Sequence, residues 1–136
     1  MEWMIDTNIL LDVLMDREPF ADEAEAVWQA CETGKATGCV SALSLADIVY
    51  VMRKVLTPER VEELMRRILM IFRPASLTPN DLLEAASLRW RDFEDAVQAV
   101  TAERLHCDYI VTRNGKDYQN SPIPAISPRE LLNRMR

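Results

Sequence analysis

Glycine is scarce, with three residues in a chain of 136. Hairpins and tight β-turns draw heavily on glycine, so an all-β fold is disfavoured. No Gly-rich loop of the phosphate-cradling kind occurs either. Histidine occurs once, at His106, beside a helix C-terminus where a cation is favoured. Ser-His-Asp and Cys-His schemes are therefore excluded unless His106 serves them. Cys31, Cys39 and Cys107 are odd in number and widely spaced. That spacing excludes a zinc-ligand pattern and fits reduced thiols in a cytoplasmic protein. No apolar run approaches the roughly 20 residues that span a bilayer. The opening Met1-Glu2-Trp3-Met4-Ile5-Asp6 lacks the basic region of an export signal. Positive charge is also short: 16 Lys and Arg face 22 Asp and Glu, a net charge of −6. Phosphate contacts usually come from Lys and Arg, so an acidic chain is not an obvious nucleic-acid binder. The objection weakens if carboxylates gather around divalent cations, which invert the local field. A basic partner could offset the remaining charge.

What is present reads as one globular domain over residues 1–136, with 49% hydrophobic and 28% charged residues. Trp3-Met4-Ile5 is a short buried strand, and Asp6 stands where it can cap a helix to about Met15. Pro19 opens a second helix in which Ala24, Val27, Trp28 and Cys31 share one face, with Gly34 at its end. Thr37–Val40 reads as a second strand. Ser41 caps a helix from Ala42 to Lys54, apolar nearly all round and so expected to be buried. Thr57-Pro58 and Thr78-Pro79 are both cap-plus-proline starts, for helices running to Ile71 and to about Trp90. An edge strand fits between Ile71 and Ser76, limited by Pro74. Asp92 opens a further helix through Leu105, Tyr109–Thr112 is the clearest strand, and Ser127-Pro128 starts a last helix. Strands alternating with helices predict an α/β fold: a parallel sheet, helices on both faces, and a site at the strand C-terminal ends.

The acidic residues carry the chemistry on offer, and each has a plainer explanation. Asp6 follows a strand and precedes a helix, so it is a cap, a metal ligand, or both. Asp47 lies mid-helix on an apolar stripe, four residues from Leu43 and from Val51. Asp is a poor helix-interior residue, and a buried carboxylate without a partner is expensive. A structural ion pair is the alternative, but Lys54 is seven residues away. Asp92, Glu94 and Asp95 sit in one first helical turn, where the dipole favours acids and Asp92 with Asp95 looks like a capping box. Asp95, next to Ala96-Val97, is best placed to point inward. Thr112-Arg113-Asn114-Gly115-Lys116-Asp117 follows the best strand. Asn-Gly marks a turn there, while Asp117 offers a fourth acid, Arg113 or Lys116 a phosphate contact, and Asn114 a neutral ligand. Hard oxygen donors of this kind suit Mg²⁺ or Mn²⁺, which activate water for displacement at phosphorus.

Four segments together resemble the PIN-domain family. These are Ile5-Asp6-Thr7-Asn8-Ile9-Leu10-Leu11-Asp12, Ser44-Leu45-Ala46-Asp47-Ile48-Val49-Tyr50, Asp92-Phe93-Glu94-Asp95-Ala96-Val97-Gln98, and Asp108–Asn114 with Asp117-Tyr118. Their order and spacing span nearly the whole chain, and the DFEDA and TRN-x-x-D forms are most similar to the bacterial VapC-like branch. The resemblance implies a Rossmann-like three-layer fold and a Mg²⁺- or Mn²⁺-dependent endoribonuclease. It implies that Asp6, Asp47, Asp95 and Asp117 are both catalytic and metal-ligating, with Asn8, Thr112, Arg113 and Asn114 near the substrate. It further implies a toxin held by a cognate antitoxin protein, an RNA substrate and a homodimer, with no membrane role. Two residues depart from the pattern: Asp47 where relatives more often carry Glu, and Asn114 where many carry Asp. An RNA-processing or flap-type nuclease outside toxin–antitoxin systems, and a catalytically silent binding module, remain open on the sequence.

Overall fold

The computed structural model describes residues 1–136. Five strands pair in parallel: β1 Glu2–Ile5, β2 Thr37–Ser41, β3 Arg73–Ala75, β4 Tyr109–Val111 and β5 Ala125–Ile126. Their order is β3-β2-β1-β4-β5. Alternation along β1 decides what each sheet face covers. Trp3 and Ile5 join Val40 on one face, under α1 (Thr7–Leu14), α2 (Ala21–Glu32), α4 (Pro58–Ile71) and α7 (Pro128–Arg134). Met4, Cys39 and Ile110 face the other way, against Ala99 and Ala102 of α6 (Phe93–Arg104). The helix α5 (Pro79–Leu88) packs on α6 through Ala85, Ala96, Val97 and Val100. This is the expected Rossmann-like three-layer α/β architecture. Ile9, Ile48, Ile68, Ile110 and Leu131 are almost fully enclosed, each contributing roughly 1.5–3 kcal/mol by burial.

The helix starts follow from capping chemistry. The Thr57 hydroxyl accepts from the Arg60 amide, and Pro58 occupies the first turn, where a missing N–H is harmless. Thr78 and Asp81 cap each other reciprocally at α5. Ser127 accepts from the Glu130 amide at α7.

Three features differ from the sequence-based expectation. The third helix, α3 (Ala42–Val51), stops short of Lys54 and is not wholly buried. Only Ser44 and Ile48 are enclosed, while Ala46, Tyr50 and Val51 face solvent. Its all-round apolarity reflects an uncovered face rather than a central position. The Asn114-Gly115 turn continues into a 3₁₀ helix, Gly115–Tyr118. The two-residue β5 is an added edge strand, too short for any periodicity to show.

The chain leaves β1 toward β2 and β3 on one side, then returns to place β4 and β5 on the other. A crevice opens at such a reversal, at the strand C-terminal ends. Asp6 follows β1, Ser41 ends β2, and Thr112 follows β4.

Candidate active site

A cleft of about 470 Å³ occupies this crevice. Asp6, Asp47, Asp92, Glu94, Asp95 and Asp117 line it, and no Lys, Arg or His does. Asp6 sits at the N-cap position of α1, yet its side chain makes no capping bond. Instead the Gln98 Nε2 donates to Oδ1 at 3.0 Å and the Thr112 hydroxyl donates to Oδ2 at 2.8 Å. Asp6 is thus held by side chains from α6 and the end of β4, and the capping explanation does not describe it. Burial pushes its carboxyl above the usual carboxylate range, with the Thr112 and Gln98 hydrogen bonds pulling back.

Asp95 is fixed differently. Asp92 caps the helix by accepting from the Asp95 amide at 3.1 Å. The Asp95 carboxylate does not reciprocate; it accepts from the Tyr118 hydroxyl at 3.0 Å. Partial burial lifts its carboxyl to about 6, and the charges of Asp92, Asp6 and Asp117 add to the lift against the Tyr118 hydrogen bond. Gln98 Nε2 also donates to the Tyr118 oxygen at 3.2 Å, and Ser44 donates to Gln98 Oε1 at 3.4 Å. Thr7 donates to Ser44 at 2.7 Å. One buried network therefore ties α1, α3, α6 and the 3₁₀ turn around Asp6 and Asp95. Gln98 and Tyr118 carry it, and neither was singled out by sequence reasoning. Their signals are modest: Gln98 is a polar residue one helical turn after Asp95, and Tyr118 directly follows Asp117.

Asp47 is half-buried in the cleft wall and forms no ion pair, so the structural-pair alternative finds no partner here. It faces Glu94 instead. Burial raises the Glu94 carboxyl first, and its contact with Asp47 raises it further. Asp117 is exposed at the rim, on the 3₁₀ helix. Asn8 and Asn114 line the cleft as expected. Thr112 and Arg113 occupy other roles. Thr112 is fully enclosed and its hydroxyl orients Asp6. The Arg113 guanidinium makes two bonds to buried Asp12, at 2.7 and 3.1 Å, and stacks on Phe20, in a separate hollow. That fixes the loop after β4 rather than reaching the cleft. His106 lies outside the cleft.

Six carboxylates without a counter-charge set what the cleft can do. An all-oxygen donor set suits a hard divalent cation, and such a cation would offset the charges of Asp92, Asp6 and Asp117 that add to the burial-driven lift on Asp95. No three of the acids converge as a closed ligand cage. Most hydroxyls of the cleft lining are engaged: Ser41 accepts from the Leu43 amide, and Thr7, Ser44 and Tyr118 donate within the network, while Tyr50 makes no side-chain hydrogen bond.

A family model described as PIN domain matches residues 2–116. The chain belongs to the PIN domain family. No curated protein sequence matches it. Its fold is similar to those of several solved chains. A toxin–antitoxin complex from Klebsiella pneumoniae aligns with TM-score 0.68 at 22% identity, over 92% of this chain and 96% of that one. VapBC-1 from nontypeable Haemophilus influenzae aligns with TM-score 0.71 at 17% identity, over 95% and 99%. VapC20 of Mycobacterium tuberculosis, a sarcin–ricin loop cleaving toxin, aligns with TM-score 0.65 at 14% identity, over 79% and 86%. At these identities the likeness is one of fold.

A pH dependence follows from Asp95. Its carboxyl titrates near 6 in the fold against 3.8 as a free side chain. Folding therefore favours the protonated form. That stability is complete below about 3.8 and is lost as pH rises through about 6. Metal-free protein is expected to melt higher at pH 5 than at pH 7, and added Mn²⁺ should close or reverse the gap. Melting curves at the two pH values, with and without Mn²⁺, check this. A higher melting temperature at pH 7 without metal contradicts it.

Proposed function

We propose that this PIN domain is a metal-dependent endoribonuclease, the toxin of a toxin–antitoxin pair, acting on RNA in the cytoplasm. One observation carries the reading: a cleft at the sheet's switch point with six carboxylates and no basic side chain. The resemblance to VapC-like sequences, and a neighbour described as a loop-cleaving toxin, support RNA as the substrate. Asp6, Asp47, Asp95 and Asp117 are the residues that would hold Mg²⁺ or Mn²⁺. Bound there, the ion supplies Lewis acidity, making water a better nucleophile and offsetting charge at phosphorus. The chain's own residues do the positioning. Gln98 and Thr112 fix both oxygens of Asp6, and Tyr118 fixes Asp95, so the two acids do not reorient between turnovers. Leu11, Leu43 and Val51 give the cleft an apolar flank.

Toxin–antitoxin complexes among the fold neighbours support an antitoxin partner. An amphipathic segment needs an apolar groove. The helix α2 does not provide a wall for one, because Ala24, Val27, Trp28 and Cys31 are buried in the core. The helix α4 does: Leu69 and Met70 are exposed, near 48% and 85%, and Val61 is half-exposed. Tyr50 and Val51 at the end of α3, and Val55 beyond it, are exposed as well. A basic side chain from the partner would complement the cleft. A homodimer is part of the same proposal. Co-purification from the native host with an operon-encoded partner tests it, and free protein alone counts against it.

Asp47→Asn separates a functional acid from a structural one. Cleavage should fall at least about a hundredfold, and the thermal stabilisation given by Mn²⁺ should shrink. Metal-free stability should stay equal or rise, because Asp47 has no cationic partner to strand. A large drop in the metal-free melting temperature, with the Mn²⁺ response intact, would contradict the role.

A further inference from the structure

Beside the acidic cleft lies a second groove of about 970 Å³. It shares Asp92, Glu94, Asp95 and Asp117 with the cleft, so the two are continuous. The cleft itself holds no cation, whereas this groove carries Arg89, Arg91 and Lys116. None of the three is in an ion pair, although acids stand close by in sequence and in the groove wall. Phe93 presents a ring about half exposed, near 47%. Trp90 anchors the segment by packing edge-on against Tyr118, at 6.0 Å between ring centroids. Arg89 ends α5 with φ of +59°, a left-handed position that glycine fills with least strain. A side chain kept there at a conformational cost calls for a use.

We infer that this groove binds the single-stranded RNA that flanks the scissile phosphate. The inference rests on the ribonuclease reading above and deepens it. Arg89, Arg91 and Lys116 take backbone phosphates on one side of the cut, which the acid-lined cleft cannot hold without metal. Phe93 takes an unpaired base by stacking, which a duplex would hide. Gln119 and Asn120 supply amide donors and acceptors at the far rim, suited to a 2′-hydroxyl or a base edge. The groove thus sets three cations outside any ion pair against the four acids it shares with the cleft, next to the site of chemistry.

The test uses the full chain with a fluorescein-labelled 12-nucleotide RNA. Steady-state cleavage is measured in Mn²⁺, and anisotropy with the same RNA in EDTA. For the triple variant Arg89→Gln, Arg91→Gln, Lys116→Gln, KM and the apparent Kd should rise at least about tenfold. The kcat should stay within about threefold, and the slope of log Kd against log salt should fall by about 2. The Mn²⁺-induced melting shift should not change. Arg89→Gly guards against misfolding: it should melt as high as the parent or higher, yet bind RNA more weakly. Phe93→Ala should weaken single-stranded RNA binding and leave duplex binding as it was. Unchanged KM and Kd in the triple variant would overturn the groove while leaving the nuclease reading intact. If the parent binds RNA through the groove but cleaves none, the nuclease reading falls and the groove stands. A parent that binds no RNA, or that binds duplex RNA or single-stranded DNA equally well, overturns the assignment of this ligand.

Discussion

Asp95→Asn is expected to lower RNA cleavage at least about a hundredfold while making the metal-free protein more stable at pH 7. Both halves come from one arrangement. Asp95 faces the charges of Asp92, Asp6 and Asp117 in a partly buried cleft, and its carboxyl is lifted to about 6. Holding it ionised at pH 7 works against the fold. A neutral amide removes that strain and still accepts from the Tyr118 hydroxyl, the one side-chain bond Asp95 makes. Because the site is open to solvent, screening limits the gain to about 1 kcal/mol. That corresponds to about 3 °C in melting temperature. The gain should vanish at pH 4, where Asp95 is already protonated. The Mn²⁺-induced rise in melting temperature should also shrink, since it tracks metal affinity. A variant that melts lower at pH 7 and still responds fully to Mn²⁺ would assign Asp95 a structural role.

Asp12→Ala should act in the opposite way. Asp12 is fully buried and takes two bonds from Arg113, with Arg17 at 3.8 Å from the same carboxylate. Removing it strands the Arg113 guanidinium over Phe20, a change that typically destabilises by about 3 kcal/mol or more. The melting temperature should fall by about 10 °C. Arg113→Met should be milder than Asp12→Ala only if water reaches Asp12 once the guanidinium is gone. The Mn²⁺ response should survive in whatever fraction remains folded, because Asp12 lines a different hollow from the cleft acids. Thermal melts with a Mn²⁺ titration distinguish the two classes of acid: loss of Asp95 stabilises and silences, whereas loss of Asp12 destabilises.

The contrast between Asp12 and Asp95 shows where sequence reading succeeds and where it stops. Local chemistry was legible. Thr57-Pro58, Thr78-Pro79 and Ser127-Pro128 start helices because their hydroxyls cap and their prolines fit the first turn. The apolar runs at Trp3–Ile5 and Tyr109–Val111 form adjacent central strands, and the segment limited by Pro74 lies at the sheet edge. The family resemblance grouped Asp6, Asp47, Asp95 and Asp117, and all four line one cleft, together with Asp92 and Glu94. Long-range partnerships were not legible. Asp12 and Arg113 lie 101 residues apart, and Asp6 and Gln98 lie 92 apart. Nothing local in either residue names the other. The same gap explains the misplaced burial of α3. Its residues are apolar on every side, and only the tertiary arrangement decides which side stays uncovered. In sequence Arg113 reads as a phosphate contact, because it follows the best strand beside a turn. The buried carboxylate that claims it belongs to α1.

The most direct test of the central claim is RNA cleavage by the purified full chain against a panel of cellular RNAs, in Mg²⁺ or Mn²⁺ and in excess EDTA. Defined endonucleolytic products with metal, none with chelator, and recovery on adding metal back are the predicted result. Cleavage that continues unchanged in EDTA would contradict the account.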